Sequence, residues 1–335
     1  MVYTIITNYS NTNYYLIKQI KMNSLLFPGQ GSQVVGMGVE FYKNYEIVKK
    51  IFKQADEKLN YSLSKIILEG PESDLQLTKN TQPSILTVSY SIFKVLKEEF
   101  GFNLKSFKFF AGHSLGEYSA LVSSEAIEFS DAIYLLHERG KAMQESVPVG
   151  EGSMIAVLGL NLEKLNSELS IFKKNNDGIC EVANDNADGQ VIVSGKKSVV
   201  SLFQNYLKEK KIKAIPLKVS APFHCSLMKP AADVMNEKIS EIKINNPIVP
   251  IIYNVTAKPK QQTDEIKNLL IDQIVSTVKW RESIINMSKA GITNFIEVGP
   301  GKVLSGMVKR TIKNANSFSI NSIADMQKLT NDIKR

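Results

Sequence analysis

Residues 107–121 read FKFFAGHSLGEYSAL, an apolar run that turns through Gly-His-Ser-Leu-Gly into helix-forming sequence. The G-x-S-x-G spacing is that of a nucleophile elbow, a strained turn between strand and helix that lifts a serine hydroxyl clear of the sheet. Ser114 is therefore the candidate nucleophile. Gly112 and Gly116 are expected where strand and helix pass too closely for a Cβ. N–H groups opening the helix after Leu115 would face any negative charge that develops beside Ser114. An ordinary Gly-rich turn is the competing explanation, and the flanking strand and helix weigh against it.

A serine nucleophile needs a base, usually histidine, and the chain has three. His113 lies inside the elbow, with its side chain expected on the side opposite Ser114. His137 sits within the helical stretch YLLHERG, where a structural role is the default. His224, in SAPFHCSLMKP, falls on a loop, where catalytic groups are commonly carried, and by elimination it is the candidate base. A structural role for this lone loop histidine stays equally open. FPGQGSQ (27–33) lacks the Walker lysine and the G-x-G-x-x-G spacing. A backbone N–H near Gln30 fits better as the second donor of an oxyanion hole, where each donor contributes about 3 kcal/mol. Arg139 is the only arginine between residues 1 and 280 and offers a planar fork for a carboxylate. Taken alone, it reads more simply as a surface cation. A triad would also need an acid behind the histidine, and none sits on an obvious strand-end loop.

These groups need a scaffold. With 335 residues, 43% of them hydrophobic, the chain can form one large α/β domain with a smaller companion. Apolar runs alternate with helical stretches, which predicts a mostly parallel sheet. Residues 71–84 read as a polar connector before a helix over 85–100, and PIIYNVT (250–256) reads as a strand. The segment 153–220 has the order β-α-β-β-α-β, matching the split βαβ of ferredoxin-like domains. It is expected to be a small subdomain inserted into a large one, which comprises 22–152 and 221–320. Residues 1–21 resemble neither a signal peptide nor a transit peptide, and are expected to be a disordered tail or the product of an upstream start codon.

The net charge is +8, yet only Arg139, Arg281, Arg310 and Arg335 among the 41 basic residues are arginine. No basic run is interleaved with aromatics, so nucleic acid is not an expected partner. No apolar run of about 18 residues predicts a membrane span. Cys180 and Cys225 are too few and too scattered for a disulfide framework or a zinc site, which suits a reducing cytoplasm. No metal or other cofactor is expected, and a monomer is the default.

FPGQGSQ, GHSLGEYSAL, ERGKAMQ, SAPFHCSLMKPAAD, DQIVSTVKW and EVGPGKVL, in this order, closely resemble the malonyl-CoA:acyl-carrier-protein transacylases of bacterial type II fatty-acid synthesis. They are similar also to the acyltransferase domains of polyketide synthases. The resemblance runs from about Ser24 to about Lys313 and implies an α/β-hydrolase-like large subdomain. It further implies a ping-pong reaction in which Ser114 carries malonyl and His224 moves the protons. Gln30 and Leu115 would hold the oxyanion, and Arg139 the malonyl carboxylate. Gln273, in DQIVSTVKW, would orient the histidine through its main-chain carbonyl, accounting for the missing acid. Phe223 would crowd an α-methyl branch and so favour malonyl. The implied partners are malonyl-CoA and an acidic acyl-carrier protein bearing phosphopantetheine, which the positive charge of the chain complements. A thioester hydrolase and a non-catalytic carrier-binding protein are the rivals: Arg139 and the family's lack of a carboxylate in the relay weigh against the first, and the intact Ser114, His224, Arg139 and Gln30 against the second. A polyketide carrier stays open as the acceptor.

Overall fold

The computed structural model describes residues 22–260 and 262–333, so the expectation for residues 1–21 lies outside the described part. The chain enters the body through β1 (Asn23–Phe27) and β2 (Phe107–Gly112). It leaves for β3 (Gly152–Leu158), β4 (Cys180–Ala187), β5 (Gln190–Lys196) and β6 (Lys213–Pro216). It returns through β7 (Ile251–Ile252), β8 (Pro259–Lys260), β9 (Asn294–Val298) and β10 (Asn316–Ile320). In the body the order is β10-β9-β1-β2-β7-β8, and every neighbouring pair is parallel except β7 with β8. Strands covered on both faces read as continuous apolar runs. Thus Leu25 and Phe27 of β1 join the larger core, while Leu26 faces a second one around Trp280, Phe295 and Met307. From β1 the chain moves outward to β2 and β7, then returns to β9 and β10 on the other side. Loops leaving β1 and β9 diverge, opening a crevice at the carboxyl ends of the strands.

The inserted strands form an antiparallel sheet in the order β4-β5-β3-β6. Each βαβ crossover brackets a strand of the other, as a split βαβ requires. Side chains alternate across this sheet. Ile155, Val157, Val191 and Val193 pack with Leu165 and Phe203 in a core of their own, while Met154, Ala156 and Ile192 turn to the body. The edge strand β4 is also tied to the body: Val278 N–H donates to Ala183 O at 2.9 Å, and Asp185 N–H donates to Val278 O at 3.0 Å. Arg281 adds an ion pair to Asp185 at 3.0 Å.

Two stretches differ from expectation. Helix α1 spans Thr78–Glu98, so the segment expected to be a connector supplies its first turns. Pro83 lies inside this helix and cannot bond the carbonyl of Lys79, which instead lies 3.1 Å from His137 Nδ1. The polar Thr81 and Asn80 are buried because each has partners, Thr81 donating to Leu75 O at 2.6 Å and Asn80 to Asp74 O at 2.9 Å. At the other end, Ile320, Met326 and Leu329 join the main core, so the body extends into the helix Ile323–Ile333.

Candidate active site

The elbow sits between β2 and helix α2 (Gly116–Ser123). A Cβ on Gly112 would lie 1.9 Å from the Gly116 carbonyl, and one on Gly116 would lie 2.2 Å from Phe27 O, so only glycine fits at either position. Ser114 is held at φ 52°, in the left-handed region that a side chain rarely adopts. It lines a cleft of about 850 Å³ between the two sheets, together with Gln30, Arg139, Phe223 and His224.

His224 also has a positive φ, 58°, and its Nε2 lies 2.8 Å from Ser114 Oγ. Its Nδ1 lies 2.9 Å from the main-chain oxygen of Gln273, on helix α3 (Thr263–Val275). A carbonyl only accepts, so Nδ1 carries the proton and Nε2 is left to accept from the hydroxyl. Burial, helped by the nearby charge of Arg139, holds the imidazole pKa down to about 3. The ring is therefore a neutral acceptor throughout the ordinary pH range.

Arg139 is fully buried. It donates to Gln82 Oε1 at 2.7 Å, Gln273 Oε1 at 2.8 Å and Ser114 Oγ at 3.1 Å, three neutral oxygens. Burial lowers its pKa, and a guanidinium nevertheless keeps its charge. A desolvated cation beside a serine hydroxyl, with no anion bonded to it among the described residues, suits a ligand that brings its own carboxylate. Among the described residues, the N–H groups of Gln30 and Leu115 have no acceptor, and Gln30 lines the cleft.

A family profile described as an acyl transferase domain matches residues 25–335. The chain belongs to the acyl transferase family. This acyl transferase is 44% identical over 298 residues to the malonyl CoA-acyl carrier protein transacylase of Bacillus subtilis strain 168, covering 89% of this chain and 92% of that relative. Its fold is similar to the crystal structure of an acyl-carrier-protein-S-malonyltransferase from Bartonella henselae, with a TM-score of 0.90 and 38% identity over 93% of this chain and 99% of the other. A malonyl-transacylase in complex with a type II PKS acyl-carrier protein gives a TM-score of 0.89 and 35% identity, covering 93% of this chain and all of that one (100%). The match extends past Lys313, where the sequence resemblance stops, and takes in β10 and the helix after it.

Several groups of the acyl transferase site escaped the sequence reading. His113 does not turn away from the cleft: it lines the same cavity as Ser114, with Nε2 2.8 Å from Asn186 Oδ1 and its ring edge-on to Trp280. Gln82 was hidden in the supposed connector. Asn254 and Glu117 lie behind the serine, both fully buried. The one signal for Asn254 was a polar residue inside an otherwise apolar run, PIIYNV. Among the described residues no group of three or more His, Cys, Asp or Glu gathers that could hold a metal ion, and no helix is long and apolar enough to cross a membrane.

Proposed function

We propose that this acyl transferase moves malonyl from malonyl-CoA to the phosphopantetheine thiol of an acyl-carrier protein through a malonyl ester on Ser114. The observation that carries this reading is the buried Arg139, bonded only to neutral oxygens, 3.1 Å from Ser114 Oγ. Ser114 Oγ attacks the thioester carbonyl as its proton passes to His224 Nε2. The N–H groups of Gln30 and Leu115 hold the oxyanion. Collapse breaks the C–S bond, and the CoA thiolate takes the proton from His224. In the second half the carrier thiol gives its proton to His224 and attacks the acyl ester, and Ser114 leaves with that proton restored. The Gln273 carbonyl fixes the imidazole tautomer, the task a carboxylate performs in a triad.

Arg139 pairs with the malonyl carboxylate and sets the substrate class. An acetyl group would leave this cation unpaired, a cost of about 3–5 kcal/mol. Phe223, 7% exposed, narrows the acyl end of the cleft, where an added methyl matters by about 1–3 kcal/mol. The enzyme works as a monomer in a reducing cytoplasm, and its two buried cysteines stay as thiols. The structural neighbour bound to a type II PKS acyl-carrier protein favours a second reading of the acceptor only: a polyketide carrier in place of the fatty-acid one.

Intact-protein mass spectrometry after brief exposure to malonyl-CoA, followed by holo carrier protein, tests the proposal. A single malonyl adduct that is absent from Ser114→Ala and moves to the carrier is the expected result. An adduct lost to water without reaching the carrier would make the protein a hydrolase, and no adduct at all a non-catalytic binder. Parallel runs with fatty-acid and polyketide carriers decide the acceptor.

A further inference from the structure

Strand β7 pairs with β2 through only two residues, Ile251 with Phe110 and Ile252 with Ala111. The ladder stops where β2 turns into the elbow. Asn254 then continues it with a side chain. Its Oδ1 accepts from Ser114 N–H at 2.7 Å, and its Nδ2 donates to Gly112 O at 2.7 Å. In a parallel ladder, one residue's peptide groups bond an N–H and a C=O that flank a single residue of the neighbouring strand. The carboxamide of Asn254 makes that same pair of bonds around His113, so it acts as a surrogate strand peptide.

The surrogate is itself held firmly. Asn254 N–H donates to Glu117 Oε2 at 2.7 Å, and Asn254 O accepts from Lys279 N–H at 2.9 Å. Gln273 Nε2 donates to Ser114 O at 3.1 Å, so both peptide groups of the strained serine are bound by amide side chains from distant parts of the chain. Removing Asn254 would leave Ser114 N–H unpaired in a backbone region that relaxes readily once released. Asn254 has no exposed surface and so does not meet substrate.

We propose that Asn254 is a positioning residue for acyl transfer, holding Ser114 Oγ in line between His224 Nε2 and the incoming thioester carbonyl. This inference rests on Ser114 being the acylated residue. Its test is the rate constant for formation of the malonyl adduct, followed by rapid-quench mass spectrometry for wild type, Asn254→Ala, Asn254→Asp and Ser114→Ala. Asn254→Ala should still label fully, with a rate constant lower by about 100-fold and KM for malonyl-CoA unchanged, as expected when a reacting atom is misplaced. An ionised aspartate accepts from Ser114 N–H but cannot donate to Gly112 O; a protonated one does both. The position has no exposed surface, and burial raises a carboxyl well above its ordinary range, so acylation by Asn254→Asp should recover relative to wild type as pH falls from about 8 to about 5. That profile decides the matter even if Asn254→Ala does not fold. Rate constants indistinguishable from wild type, with only the labelled fraction reduced, would overturn the proposal and leave Asn254 a purely structural residue. An adduct on Ser114→Ala would instead overturn the acyl-serine reading itself.

Discussion

On the body side of the cleft, Ser114, His224, Arg139, Gln82 and Gln273 are joined to one another by hydrogen bonds between 2.7 Å and 3.1 Å. The opposite wall is presented by the antiparallel sheet and carries Met154, Asn184, Asn186, Gln190 and Ile192. There the cross-cleft bond is that of His113 to Asn186, and Gln190 Oε1 is buried with no partner among the described residues. One wall is cross-linked by hydrogen bonds before any ligand arrives, with Arg139 Nε left over among the described residues; the other carries few such bonds and holds the unpartnered Gln190 Oε1. The contrast matches a division between groups aimed at developing charge and groups that recognise the unreactive arm of a substrate.

If that division holds, substitutions at the body-wall groups that meet the reacting atoms should lower kcat and those on the facing wall should raise KM, while Arg139, which holds the substrate's own carboxylate, is read in kcat/KM. The largest effect is expected at Arg139. Arg139→Ala should lower kcat/KM for malonyl-CoA by about 100- to 1000-fold and raise the relative use of acetyl-CoA; Arg139→Lys should restore little, because an ammonium lacks the fork. Equal losses with malonyl-CoA and acetyl-CoA would break the assignment of the cation to the carboxylate.

Next comes pH. With its pKa held down to about 3, His224 stays neutral on the acid side, so the acylation rate should remain flat from about pH 7 to about pH 5. A histidine of ordinary pKa would lose about 25-fold over that span. Such a limb in the stopped-flow profile would show a body wall less closed to water than the geometry requires.

Asn186→Ala is the counterpart on the facing wall. It should raise KM for malonyl-CoA by about 3- to 10-fold with kcat retained, and a fall in kcat instead would erase the distinction between the walls.

The smallest effect is on stability. Burial raises the Glu117 carboxyl from the ordinary 4.5 to about 8. The folded state thus holds this proton more tightly than the unfolded chain, and stability falls as pH rises through that window. Glu117→Gln removes the dependence, so its melting temperature should gain on wild type between pH 5 and pH 8, by several degrees at most, in thermal scans at matched ionic strength.

What could be read in the sequence was whatever local sterics had written there. The elbow was legible because Gly112 and Gly116 answer close backbone contacts, one within the turn and one with Phe27 of the neighbouring strand, that no other residue survives. The small subdomain was legible because its apolar runs keep strand and helix periods in an order that few folds share. The network behind Ser114 was not. Asn254 meets Ser114 across 140 residues and Gln82 meets Arg139 across 57, and nothing in the neighbourhood of either amide marks its partner. The start of α1 was lost for a different reason: its polar side chains are buried through bonds to the turn six residues upstream, while composition alone signals a loop. The two-residue β7 shows the converse, an apolar run longer than the ladder it can make once the elbow turns away.

The stretch from Gln273 to Val278 has a bearing on protein engineering. Gln273 bonds His224 through its carbonyl, and shortly afterwards Val278 uses both peptide groups to hold β4. The inserted segment begins and ends side by side, where β3 pairs with β6, so it looks like a cassette that could be exchanged for that of another transferase. A chimera spliced only at those seams would lose the β4 contact with Val278, and with it the support of the residues carrying the histidine's anchor. Exchanging the inserted segment in this scaffold therefore requires a donor whose 183 carbonyl and 185 N–H meet the recipient at the same spacing.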